Sequence, residues 1–160
     1  MGRPPLFRSD FKDRPGDFGF LVRPTSKELD DFVHLLDKMM SENLNRKFFE
    51  GEIPVEEEVQ RGDGKIIVTQ IGTVRLLESW FAKRFRPADP KPLEEAFAAF
   101  KKVRKLRQQP AHVINDDKFD QQLFKEQRSL MLEAYEAVRM IRLCLANHPK
   151  AKGRGQRQGV

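Results

Sequence analysis

Apolar positions recur at helical spacing in four stretches of this chain. The clearest follows Thr25-Ser-Lys-Glu28, which reads as a capping box. It sets Leu29, Phe32, Val33, Leu36 and Met40 on one face and predicts a helix over about 27–44. Leu93, Phe97, Phe100, Val103 and Leu106 repeat the pattern over about 92–107, after Pro87, Pro90 and Pro92. The longest run covers about 117–147, with Asp116 or Asp117 placed to cap it and Pro149 to close it. Its apolar residues (Leu123, Phe124, Leu130, Met131, Ala134, Tyr135, Val138, Ile141, Leu145) spread over more than one narrow seam. That breadth suits a helix central to a bundle, or to a bundle plus a partner.

The fourth stretch reads two ways. Residues 65–71 favour strand by propensity, yet Ile67, Ile71, Val74, Leu77 and Phe81 fit one helical stripe. The helix is preferred, ending near Phe85 and starting anywhere from 65 to 73. Residues 45–64 carry five glutamates and a turn signal at Gly62-Asp63-Gly64, and read as a solvated loop. Residues 1–25, with prolines at 4, 5, 15 and 24, read as an irregular arm whose Phe7, Phe11, Phe18 and Phe20 pack against the body. Residues 149–160 read as a disordered basic tail. The expectation is therefore an all-α fold, a four- to five-helix bundle over 26–148 between an arm and a tail.

Composition supports one domain. The chain has 160 residues, 39% of them apolar and 34% charged. No apolar run approaches the roughly 18 residues that cross a bilayer, and the N-terminus lacks the apolar core of a signal peptide. The single cysteine, Cys144, sits in an apolar helical stretch and reads as a structural thiol. Together these point to a cytoplasmic protein without a membrane partner. His34 has no partner at metal-ligand spacing, so neither a metal nor a cofactor is expected.

The net charge of +6 is unevenly placed. Residues 26–60 hold 4 basic and 10 acidic side chains, whereas residues 61–112 hold 12 basic and 5 acidic. A basic half of this kind attracts polyanions, nucleic acid first among them. The basic helix ends in Arg107-Gln-Gln-Pro-Ala-His112, an Arg-x4-His spacing broken by Pro110. An arginine can neutralise a phosphate and a histidine can move a proton near neutral pH. Arg104 stands one turn before Arg107 on the same face. Arg142 and His148 satisfy a looser form of the spacing, but His148 reads as a cap at the end of the last helix. There is no P-loop, dinucleotide-binding glycine pattern or neighbouring Cys–His pair to compete.

A basic helix ending in Arg-x4-His, preceded by shorter helices and followed by a long amphipathic one, resembles the HEPN superfamily of small helical ribonucleases. The segment Val103-Arg-Lys-Leu-Arg-Gln-Gln-Pro-Ala-His112 carries the likeness, which spans roughly 26–148. The resemblance implies a metal-independent endoribonuclease of defence or toxin–antitoxin systems. It also implies a homodimer whose two Arg–His pairs meet at one cleft, with an antitoxin or accessory protein as a further partner. Arg107 and His112 would be the catalytic pair, with Arg104, Gln108 and Lys102 binding RNA beside it. Gln108 stands where active members often have Asn, Asp or His, and Ile114 where some toxins carry a modifiable tyrosine. The alternative, which Gln108 favours, is a noncatalytic helical protein-interaction module.

Overall fold

The structure, a computed structural model, describes residues 4–8, 23–108 and 119–147. Helix α1 runs Ser26–Asp37, and Thr25 caps it by accepting from the Glu28 N–H at 3.3 Å. The Glu28 carboxylate accepts from the backbone N–H and the Nε of Arg23 at 2.9 and 3.0 Å. The expected helix over 27–44 does not continue unbroken. At Lys38 it widens into a π turn, Lys38–Glu42, followed by a short 3-10 turn at Arg46–Phe48.

The all-α expectation is corrected by what comes next. Strands β1 (Glu56–Gln60) and β2 (Ile66–Gln70) form an antiparallel hairpin, so the chain is mostly helical with a small sheet. The stretch expected to be a loop thus supplies β1, and the stretch given to a helix start supplies β2. Gly62-Asp63-Gly64 is the three-residue turn between them. Gly64 takes φ 81°, the left-handed conformation that closes such a loop without a Cβ penalty. Lys65 O accepts from the Arg61 N–H at 2.8 Å, and Asp63 Oδ1 from the Lys65 N–H at 3.2 Å. At the other end, Arg46 donates to Val55 O (2.9 Å) and Ile71 O (2.6 Å), clamping both strands where they leave the body.

Helix α2 (Thr73–Arg84) starts only after the hairpin, and α3 (Lys91–Gln108) and α4 (Gln122–Asn147) complete the fold. Helix α4 pairs along α3 more extensively than any other two helices do, and α1 lies against α3. The core combines Phe32, Val33 and Leu36 of α1 with Leu77 and Phe81 of α2, Phe97, Phe100 and Val103 of α3, and Leu130, Ala134 and Ile141 of α4. Phe81 is stacked on Phe85 at 4.6 Å and set edge-on to Trp80 and Phe97. Such large buried rings are where an apolar-to-alanine change costs most, about 3–5 kcal/mol.

From the N-terminal stretch, Leu6 is buried and Phe7 packs against the core. The Arg8 N–H donates to Asn43 O and the Asn45 N–H to Leu6 O, both at 2.8 Å. Phe11, Phe18, Phe20, His112, Ile114, His148 and the tail lie outside the described residues.

Candidate functional site

The candidate site forms where the end of α1 meets the end of α3. Asp37, the last residue of α1, is fully buried. It follows Val33 by four residues and so occupies the core-facing stripe of its helix. A buried carboxylate is costly unless paired, and the partners come from far along the chain. Arg104 Nη1 and Arg107 Nη1 both donate to Asp37 Oδ2, at 2.8 and 2.6 Å. Arg107 Nη1 also donates to Glu42 Oε1, and Arg104 lies 4.0 Å from the same oxygen. The three-residue spacing of the arginines puts them on one face of α3.

The π turn makes Glu42 part of this group. At 3.6 residues per turn, residues five apart point about 140° away from each other. A turn closed by i to i+5 bonds is wider and brings the fifth residue back toward the first. The same turn presents Ser41 O to Thr73 Oγ1, which donates to it at 2.8 Å and ties the start of α2 to the site. Asp37 Oδ1 and Ser41 Oγ are buried without a hydrogen-bond partner among the described residues.

Electrostatically the four charges balance. The hydrogen bond that Arg107 donates to Asp37, then the one it donates to Glu42, push its guanidinium above its ordinary value, so it stays cationic. Exposure differs within the cluster. The Asp37 side chain is 0% exposed, Arg107 24%, Arg104 37% and Glu42 40%. Asp37 is therefore the fixed anchor and Glu42 the carboxylate with room to leave.

Of the residues expected to act together, Arg104 and Arg107 are brought side by side. Lys102 is not with them. It faces α4, where Nζ donates to both Glu133 carboxylate oxygens at 2.8 Å. That bond, with help from Ser129 Oγ at 3.0 Å, holds the Glu133 carboxyl below its usual range. Lys101 likewise donates to Glu78 at 2.7 Å. Much of the positive charge read along α3 is thus matched by acids of the fold. Gln108 is the exposed last residue of α3, and His112 lies outside the described residues.

Asp37, Glu42 and Ser41 were not foreseen as site residues. The signal for Asp37 was present: a carboxylate on the apolar stripe of an amphipathic helix requires a cationic partner. Nothing local pointed to Glu42, because its position depends on the π turn.

Among the described residues no group of three His, Cys, Asp or Glu side chains is placed to hold a metal ion, and no helix is long and apolar enough to cross a membrane. A groove of about 630 Å³ lies between α3 and α4, lined by Ala96, Ala99, Leu132, Ala137 and the Lys102–Glu133 pair, and separate from Arg104 and Arg107. Cys144 is half-buried, and burial pushes its thiol up. Comparison with family models, curated proteins and solved structures finds no match for this chain.

Proposed function

We propose that this chain binds RNA phosphates through Arg104 and Arg107 and cleaves the strand without a metal, with His112 as the proton-transfer group. One observation carries the reading. Two guanidiniums at the end of α3 are each held through Nη1 by a single buried carboxylate. Arginines so anchored keep Nε and Nη2 for a ligand and lose little side-chain freedom when they bind it. In the sequence His112 follows Arg107 by five residues.

In this reading a phosphate takes the place of Glu42 on Arg107, while Asp37 keeps both guanidiniums oriented. His112 accepts the proton of a 2′-hydroxyl as that oxygen attacks phosphorus. Arg107 stabilises the charge gathering on the phosphoryl oxygens. The 5′-oxygen leaves with a proton from a second acid, which the resemblance to HEPN ribonucleases assigns to a homodimer's other histidine. The products are a 2′,3′-cyclic phosphate and a 5′-hydroxyl. The cytoplasm offers both the RNA and the reducing conditions that keep Cys144 a free thiol.

A second reading, a noncatalytic helical interaction module, is favoured by the neutral sum of the four-charge cluster and by Leu132, Tyr135 and Leu143 exposed on α4. The deciding experiment incubates single-stranded RNA with the protein in EDTA, beside His112→Ala and Arg107→Ala/Asp37→Asn. The second variant removes cation and buried anion together, so the fold is not left with an unpaired charge. Cleavage by the wild type that both variants abolish supports the ribonuclease. No cleavage, or cleavage indifferent to both, leaves the interaction module.

A further inference from the structure

The hairpin has an edge that no other described segment uses. Among the described residues β1 and β2 form a two-stranded sheet, with no third strand beside either. A hairpin of this size is marginal on its own in water. Its two edges differ sharply. Strand β1 carries Glu56, Glu57 and Glu58, the kind of charge that keeps an edge from pairing. Strand β2, Ile-Ile-Val-Thr-Gln, carries no charge at all, and Ile66 and Val68 are 65% and 62% exposed.

The register fixes which backbone groups are free. The Arg61 N–H donates to Lys65 O and the Ile71 N–H to Val55 O, so the odd-numbered residues of β2 bond toward β1. By the alternation of an antiparallel ladder, Ile66, Val68 and Gln70 turn their N–H and C=O groups outward. Their side chains share one face, Ile66 and Val68 opposite Gln60 and Glu58.

We infer that this edge pairs with the same edge of a second copy of the chain, β2 to β2, antiparallel about a two-fold axis at Val68. An outside strand would need to match the edge by chance, whereas a second copy matches it by symmetry. Val68 meets the second copy's Val68, and Ile66 meets the second copy's Gln70. Each such pair exchanges two hydrogen bonds, about six in all, and none of the outward groups of β2 is left over. The exposed Ile66 and Val68 of both copies become one apolar strip on a four-stranded sheet. Pairing through β1 instead would set three glutamates against three. The inference rests on the hairpin alone and stands whether or not the chain cleaves RNA.

Sedimentation equilibrium on the full-length protein, with amide hydrogen exchange read by NMR, tests it. The wild type is expected to dimerise with rising concentration. The Ile66, Val68 and Gln70 amides should gain protection only in the dimer, while Ile67 and Thr69 stay protected throughout. Val68→Lys places a charge on the strip, and Val68→Pro removes one outward N–H without touching a bond to β1. Each should weaken dimerisation by about tenfold or more, with unchanged helical circular dichroism. A wild type that stays monomeric at millimolar concentration overturns the proposal. So does a dimer that Tyr135→Glu on α4 disrupts and both Val68 variants leave intact.

Discussion

Removing Arg104 and Arg107 together should destabilise the fold far more than two surface arginines would. Asp37 is fully buried, and these two guanidiniums are its ion-pair partners among the described residues. A charge-assisted hydrogen bond is worth about 1.5–3 kcal/mol. Taking either arginine alone leaves Asp37 one partner, so each single alanine variant should cost about 1–2 kcal/mol, less than that full range. Taking both strands a carboxylate in the core, which costs about 3–5 kcal/mol. At this chain length 1 kcal/mol moves Tm by roughly 2–4 °C, so the double variant should melt roughly 6–20 °C below the wild type. Adding Asp37→Asn to the double variant removes the stranded charge and should restore more than half of the loss. Urea and thermal unfolding followed by far-UV circular dichroism measure all of these in one cycle. A double variant within about 1 kcal/mol of wild type would show that Asp37 is not held by these arginines. Failure of Asp37→Asn to restore stability would show that the loss is packing and not charge.

Three further outcomes follow from single sites. The Glu133 carboxyl is held below its usual range by Lys102, so their bridge contributes above the ordinary carboxylate range and is lost as pH falls through the lowered folded value. Glu133→Gln should therefore cost up to about 1 kcal/mol at neutral pH and nothing in strong acid, and a gap in Tm that persists in acid would contradict the assignment. Gly64 sits at φ 81°, where an alanine is strained by about 1 kcal/mol. Gly64→Ala should speed hydrogen exchange of the Arg61 amide while leaving the α3 and α4 amides unchanged. Burial pushes the Cys144 thiol up, so little of it is thiolate at neutral pH. Its alkylation by iodoacetamide should lag behind free cysteine at pH 7 and catch up only in more alkaline buffer, whereas equal rates at pH 7 would show an open thiol.

Where the sequence could be read, local periodicity was enough. The stripe from Phe32 to Leu36 and the run Phe97, Phe100, Val103 are buried as their spacing implies, because one helix face against one core is a local rule. The hairpin was hidden by coincidence. Ile67, Ile71, Val74, Leu77 and Phe81 fall at helical spacing, but only Leu77 and Phe81 are fully buried, and Ile67 belongs to a strand. The apolar residues of β2 are largely exposed, so the in–out alternation that marks a half-buried strand is missing. The site was half visible. Arg104 and Arg107 stood out as neighbours on one helix face, but Asp37 lies 67 and 70 residues away from them respectively, and Glu42 lies 65 residues from Arg107. Only folding joins those segments, and the π turn that swings Glu42 into place has no signature in spacing.

The proposed ribonuclease requires that Arg104 and Arg107 read phosphate once Glu42 gives way. Fluorescence anisotropy with a 2′-O-methyl single-stranded RNA, which cannot be cleaved, measures this directly. The wild type should bind in low salt and weaken as salt rises, Glu42→Gln should bind more tightly, and Arg107→Ala/Asp37→Asn more weakly. Equal affinity for all three proteins, or no binding by the wild type in low salt, would contradict it.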